Sequence, residues 1–269
     1  MTAVDLLAGA ADTDRSAPLA RANPVAKLAV SLAVSVALLL TVDVVTAGVA
    51  LLLELACLPW CGLPARSLLR RSWIVLVAAV PAGVVTAWLG VDSGASLLAL
   101  GPVTVTEGSV TAGAAITLRV LAIGLPGVVL LATTDPTDLA DALAQLLHLP
   151  HRFVLAALAA TRLVGVLAEE WQMLSLARRA RGLGDDGWTG RLRTASGQVF
   201  ALLVLSIRRA TTLATAMEAR GFGVTSQRTW ARRSEFAAFD ALVVLGGVGL
   251  AALATAAGLA AGTWDLLLS

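Results

Sequence analysis

Long stretches with almost no charge recur along this chain, and they constrain its fold more than any other feature. A helix of roughly 17 to 25 apolar residues is long enough to cross a bilayer. Only 14% of the residues are charged and 58% are hydrophobic, whereas globular chains carry about 25% charged residues. The sequence therefore predicts an integral membrane protein and excludes an ordinary soluble domain.

The apolar stretches predict an all-α fold with about five membrane-spanning helices. Two short spans are expected to form a hairpin within residues 25–58, with its turn at Thr41-Val42-Asp43. Further spans are expected near residues 72–89, 108–132 and 236–261. Together these spans would cross the bilayer five times.

The distribution of basic residues predicts the orientation of the chain. Residues 90–107 contain no lysine or arginine, so this loop is expected outside the cell. The opposite side carries a cluster of basic residues, namely Arg15, Arg21, Lys27, Arg66, Arg70 and Arg71. The positive-inside rule then places the N-terminus in the cytoplasm and, after five spans, the C-terminus outside.

The segment 134–235 differs in character, because it holds 13 arginines and 9 acidic residues. Asp135-Pro136 has the cap and first-turn chemistry of a short helix start, and two long helices are expected near 151–181 and 190–220. The predicted organisation is a cytoplasmic tail 1–23, a four-span membrane domain 24–133, a cytoplasmic or interfacial domain 134–235, a final span 236–261 and an external tail 262–269.

Both long helices are predicted to end in the same tripeptide. The first ends at Ala180-Arg181-Gly182 and the second at Ala219-Arg220-Gly221, 39 positions later. Arginine and glycine are common at helix ends, where they favour the dipole and the left-handed cap. Two such ends on long helices, in a chain without an enzymatic motif, instead favour a pair of separate docking tips.

These features resemble the transmembrane T component of importers of the energy-coupling factor type, known as the EcfT/CbiQ family. The two Ala-Arg-Gly signatures match in type, order and separation. The resemblance covers about residues 18–240 and extends to further motifs: Asn23-Pro24 with Lys27-Leu28, Thr106-Glu107-Gly108 with Leu118-Arg119, and Thr133-Thr134-Asp135-Pro136-Thr137-Asp138-Leu139. Two departures occur in the first motif, where Asn23 replaces an aspartate and Val25-Ala26 replaces an arginine.

The resemblance implies a non-catalytic subunit of an ATP-driven transporter in the bacterial plasma membrane. Two cytoplasmic ABC-type ATPases would receive Arg181 and Arg220 in grooves, and a substrate-binding membrane S component would lean against the long helices. ATP and Mg²⁺ would belong to the ATPases, and this chain would bind no cofactor. The substrate would be a vitamin or a metal ion that the S component selects.

Several charged residues outside the tips are candidates for structural roles. Arg119 falls within the fourth span, where an unpaired guanidinium is costly, and Asp43 or Glu54 could be its partner. Arg162, Glu169 and Glu170 mark one region of the first long helix. That region is expected either to lie against other helices or headgroups or to form a solvated stripe.

Other function classes have weaker support in the sequence. Asp135, Asp138 and Asp141 imitate a metal-binding cluster of an intramembrane enzyme but are better explained as a helix start. A channel is disfavoured because the spans consist mainly of Ala, Leu and Val. His148 and His151 with Cys57 and Cys61 make a poor metal site, and a net charge of +2 does not suggest nucleic-acid binding. An independent intramembrane enzyme or channel remains the alternative.

Overall fold

The computed structural model describes residues 17–41, 43–90, 95–100, 103–182, 187–222, 230 and 232–262. Its elements are, in chain order, α1 (Pro18–Arg21), α2 (Pro24–Leu40), α3 (Val44–Cys57), a 3-10 turn (Leu58–Cys61), α4 (Ala65–Leu89), β1 (Ser96–Leu100), β2 (Val103–Thr106), α5 (Glu107–Thr133), α6 (Pro136–Gln145), α7 (His151–Ala180), α8 (Gly187–Ala219) and α9 (Ala238–Ala260). The predicted all-α membrane fold is confirmed. Most of the predicted tails, 1–23 and 262–269, lie outside the described residues.

The chain divides into two compact units. The membrane unit comprises the described residues up to 142 and from 234 onward, and the arginine-rich unit comprises those from 143 to 233. Residues 134–142, which the sequence analysis assigned to the segment 134–235, belong to the membrane unit. Each unit is described by itself below.

The core of the membrane unit is built from small side chains on helices that are far apart in sequence. Val34 and Leu38 of α2 are almost fully buried, and the cluster around them is completed by Ala47, Ala50, Ala122, Ala251 and Ala254. Alanine lets helix backbones approach closely, which favours helix association where no water is present to drive it. The alanine content of the spans therefore has a packing role.

Helices α4 and α5 cross with their backbones in contact. A Cβ added to Gly83 would lie 2.7 Å from the carbonyl oxygen of Gly113, and one added to Gly113 would lie 2.6 Å from that of Gly83. No larger residue fits there without moving a helix. The two glycines thus fix how closely these spans approach.

Residues between α4 and α5, predicted as a loop, include a small antiparallel hairpin. Strands β1 and β2 are antiparallel, with Leu100 opposite Val103 and Ser96 opposite Thr106. Thr106 then caps α5, because its Oγ1 accepts from Ser109 N (3.3 Å) while Ser109 Oγ accepts from Thr106 N (2.9 Å). This reciprocal capping box explains the Thr106-Glu107-Gly108 motif as a helix start.

Five segments in the described part of the chain are long and apolar enough to cross a membrane, and they differ in one member from the predicted five. The structure supports Val44–Cys61, Arg66–Leu89, Glu107–Thr133 and Ala238–Ala260 as candidates. The fifth is α8, which the sequence analysis placed in the cytoplasmic or interfacial domain, while α2 is shorter, with 17 residues. The chain is a multi-pass membrane protein on either count.

Candidate coupling site

The first Ala-Arg-Gly tip ends α7. Ala180 is the last helical residue, and the amides of Arg181 and Gly182 close the final turn on the carbonyls of Arg178 (3.1 Å) and Arg179 (3.0 Å). Gly182 has a φ of 69°, the left-handed conformation that glycine adopts at least cost. Ala180, Arg181 and Gly182 are all exposed. The tip therefore presents an arginine at a rigid helix end.

The second tip ends α8 in the same way. Gly221 has a φ of 75°, and its amide donates to the carbonyl of Glu218 at 2.9 Å. The amide of Phe222 reaches back to the carbonyl of Met217 at 3.0 Å, which completes a Schellman motif. Ala219, Arg220 and Gly221 are exposed. The two signatures thus share one local structure.

Two contacts show that α7 and α8 run antiparallel. Arg178 Nη1 donates to the carbonyl of Thr194 at 2.8 Å, and farther from this end Glu170 forms an ion pair with Arg209. The end of α7 therefore lies beside the first turns of α8. Residues 194 to 220 extend about 39 Å along α8 at 1.5 Å per residue, so the two tips are tens of ångströms apart.

The charged residues predicted on α7 have different environments. Arg162 and Glu169 are exposed, whereas Glu170 is half-buried and contacts Arg209. Arg162 precedes Glu170 by two turns, about 12 Å along the helix axis. Of the predicted set, only Glu170 is seen to join the two long helices.

Sequence analysis missed Arg178 and Arg209, which join the long helices. Neither residue had a signal in the sequence, because the residues that meet across two antiparallel helices depend on how the helices pack, and the acceptor of Arg178 is a backbone carbonyl.

In the membrane unit, Arg119 has Asp43 as its electrostatic partner. Arg119 is only 8% exposed, and Asp43 caps α3 by accepting from Thr46 N (2.9 Å) and Thr46 Oγ1 (2.8 Å). Glu54, the other predicted partner, is buried with neither carboxylate oxygen hydrogen-bonded in the described part of the chain. Of the two predicted partners, Asp43 is the one whose charge acts on Arg119 in the described part of the chain.

The Asn23-Pro24 motif joins the starts of two helices. The amide of Asn23 donates to Asp240 Oδ1 (2.6 Å), and the amide of Ala237 donates to Asp240 Oδ2 (2.8 Å). Asn23 Nδ2 donates to Ser234 Oγ (3.1 Å) and to the carbonyl of Glu235 (3.0 Å). The asparagine that departs from the family motif therefore still ties α2 to α9.

Lys27 ties the same region to the end of α5. Its Nζ donates to the carbonyls of Ala20 (3.0 Å) and Thr133 (3.2 Å) and to Thr133 Oγ1 (3.1 Å). A cation at a helix C-terminus is favoured by the helix dipole. Residues 133–139 continue into α6. Asp135 caps the first turn of this helix, because its Oδ1 accepts from Thr137 N at 2.7 Å.

Comparisons with known proteins identify the family of the chain. A family model described as CbiQ, cobalt transport protein, matches residues 15–230. The energy-coupling factor transporter transmembrane protein EcfT of Macrococcus caseolyticus (strain JCSC5402) is 32% identical over 163 residues, covering 56% of this chain and 61% of that protein. EcfT of Bacillus subtilis (strain 168) is 32% identical over 160 residues, covering 55% of this chain and 60% of that protein.

A third relative has a different description. A putative ABC transporter ATP-binding protein of Bifidobacterium longum (strain NCC 2705) is 29% identical over 175 residues, covering 62% of this chain and 22% of that protein. The chain thus spans about three fifths of the length of the two EcfT relatives. It spans 22% of the length of the ATP-binding protein.

Proposed function

The chain belongs to the CbiQ family of cobalt transport proteins, and we propose that it is the transmembrane coupling subunit of an energy-coupling factor importer. In this role it transmits ATP-driven movement from two cytoplasmic ABC-type ATPases to a substrate-binding S component, for uptake of a vitamin or a metal ion. The observation that carries the proposal is the pair of exposed arginine tips, about 39 Å apart along α8.

Each tip has the chemistry to bind in a groove of a partner protein. The guanidinium of Arg181 or Arg220 offers five donors in a planar fork, which suits carboxylates and backbone carbonyls. The glycine that follows has open space around it, since a Cβ on Gly182 or Gly221 would meet nothing within 4 Å. One ATPase subunit is therefore proposed to enclose each tip.

The long helices are proposed to act as levers between the ATPases and the S component. Helix α8 exposes a row of large apolar side chains: Val199, Phe200, Leu203, Val204 and Ile207. Contiguous exposed apolar surface marks an interaction site. The S component is proposed to lie on this row, so that displacement of either tip moves it.

The ATPase class is supported by the relative from Bifidobacterium longum, which is described as an ABC transporter ATP-binding protein. In the proposed complex, ATP and Mg²⁺ are bound by the ATPases. This chain has no catalytic role and binds no cofactor of its own. In this proposal α2 crosses the bilayer and α8 lies along the cytoplasmic surface, so that both tips and the N-terminus face the cytoplasm and the C-terminus is external.

The experiment is affinity purification of the tagged chain from its native membranes, with mass spectrometry of the proteins that remain bound. The test variant is Arg181→Glu with Arg220→Glu. The matched control is Arg208→Glu, which reverses an exposed arginine of α8 that lies 12 residues, about 18 Å along the helix axis, before Arg220. Losing a buried interfacial charge pair costs about 2 to 5 kcal/mol, so ATPase recovery is expected to fall at least tenfold in the test variant only.

Two results would contradict the proposal. The tip variant could retain the ATPases and support normal ATP-dependent uptake, which would end the docking role of the arginines. The wild-type chain could purify without any ATPase, which would favour an independent intramembrane enzyme or channel.

A further inference from the structure

The membrane unit contains a cavity of about 690 Å³ between α2, α3, the 3-10 turn, α5 and α9. Its walls are mainly apolar and include Val34, Leu53, Leu125, Val129 and Leu250. Three further lining residues, Trp60, Leu242 and Leu253, are each more than 60% exposed. Exposed apolar side chains on membrane helices face lipid, so the cavity is accessible from the bilayer.

Glu54 is the unusual residue of this cavity. It lines the cavity and is 8% exposed, and both of its carboxylate oxygens lack a hydrogen-bond partner in the described part of the chain. A buried carboxyl group without a partner is costly, and an ionisable residue within a membrane indicates a functional site. A ligand that supplies a cation or a hydrogen-bond donor would satisfy the carboxyl group of Glu54.

The other polar lining groups do not satisfy Glu54. Lys27 directs its ammonium to three acceptors, the carbonyl of Ala20 and the carbonyl and hydroxyl of Thr133. The Cys61 thiol lies 3.7 Å from the carbonyl of Cys57, to which it donates. The carboxyl group of Glu54 thus remains for an occupant of the cavity.

The size of the cavity restricts the occupant. Sites for small molecules typically enclose about 300 to 1,000 Å³. The volume of about 690 Å³ lies within this range, and it suits a small amphiphile with a single apolar chain.

We propose that this cavity binds an amphiphilic amine that enters from the bilayer. The apolar body of the ligand lies against the leucine and valine walls, and its ammonium group forms a charge-assisted hydrogen bond with the carboxylate of Glu54. The walls select an apolar body, and the carboxylate selects a cationic head. The bound amine contacts α2, α3, α5 and α9, so it stabilises the arrangement of these helices.

The test uses the chain of 269 residues in uncharged maltoside detergent and two photoreactive probes. The probes are a diazirine-bearing dodecylamine and a diazirine-bearing dodecanol of the same length. After irradiation, labelled peptides are mapped by mass spectrometry. Since a hydrogen bond to a charged group contributes about 1.5 to 3 kcal/mol, the amine is expected to label the cavity peptides at least tenfold more than the alcohol.

Variants of Glu54 separate the charge from the apolar walls. Glu54→Gln keeps the size of the side chain and removes its charge, so labelling by the amine is expected to fall to that of the alcohol. Labelling by the alcohol should not change. The matched control is Glu107→Gln, which neutralises an exposed carboxylate at the start of α5 and should leave both probes unaffected.

Filling the cavity is an independent test. Gly246 lines it, and a Cβ added there would meet nothing within 4 Å, so Gly246→Leu introduces a side chain at the cavity wall without a clash at its Cβ. This variant should reduce labelling by both probes. Gly127→Leu, which also enters open space but is not among the lining residues, is the control and should reduce neither.

Two results would overturn the proposal. Equal labelling of the wild-type cavity by the amine and the alcohol would mean that it holds any apolar chain. An unchanged amine signal in Glu54→Gln would mean that the carboxylate does not recognise the ligand. The experiment contains no ATPase or S component, so its outcome is independent of the proposed coupling role.

Discussion

Glycine serves different purposes in the membrane unit and in the arginine-rich unit. In the membrane unit, a Cβ added to Gly83, Gly113 or Gly247 would lie less than 3 Å from an atom of a neighbouring helix. In the arginine-rich unit, one added to Gly165 or to the glycines of the two tips would meet nothing within 4 Å. Glycines at the helix contacts of the membrane unit thus bring helices together, whereas the glycines of the two tips shape helix ends that remain accessible.

The same contrast appears in the polar contacts of the two units. Asp240 is 4% exposed and accepts two backbone amides, so it belongs to a buried, satisfied network. The Glu170–Arg209 pair in the arginine-rich unit leaves about a third of each side chain exposed. Helices whose contacts are few and solvent-accessible are suited to move against one another.

The largest expected effect is that of a leucine at the backbone contact of the membrane unit. Gly83→Leu drives a side chain into the Gly113 carbonyl, which cannot yield as a flexible side chain would, so a loss of about 3 kcal/mol or more is expected. Thermal unfolding of the purified protein in detergent measures it. Gly165→Leu on α7 enters open space and should leave stability unchanged or slightly higher. Equal losses in the two variants would contradict the proposed difference between the units.

The second prediction concerns the network at the start of α9. Asp240→Ala removes the acceptor of the Asn23 and Ala237 amides. Each buried donor left without a partner costs about 1 to 3 kcal/mol, so the free energy of unfolding should fall by about 2 kcal/mol or more. Chemical unfolding compared with that of Glu235→Ala, which changes an exposed acidic residue nearby, provides the check. A wild-type value for Asp240→Ala would show that water satisfies both amides.

The smallest effect is expected for the ion pair of the arginine-rich unit. Because Glu170 and Arg209 are partly exposed, their interaction should contribute only about 0.2 to 1 kcal/mol. A double-mutant cycle with Glu170→Gln and Arg209→Gln measures it, with Glu169→Gln as the control on an exposed neighbour. A coupling energy as large as the effect of Asp240→Ala would erase the distinction between the two units.

The parts of the fold that sequence analysis predicted correctly are encoded locally. Helix ends follow from nearby residues. Asp135 caps the start of α6 through the amide of Thr137, two residues later, and the glycines of the two tips end their helices with left-handed φ values. Arg119 was predicted only in part. The cost of a charge in the bilayer indicated that it has an acidic partner, but the sequence offered both Asp43 and Glu54. Only the structure distinguished Asp43 from Glu54.

The sequence by itself determined the membrane class, the helices and the conformation of both tips, because helical hydrogen bonds and caps join residues a few positions apart. The tertiary structure decided the rest. Asn23 meets Asp240 across 217 positions, Glu170 meets Arg209 across 39, and Glu54 faces a cavity whose walls come from four helices. Such contacts depend on how the helices pack, which hydrophobic periodicity does not specify.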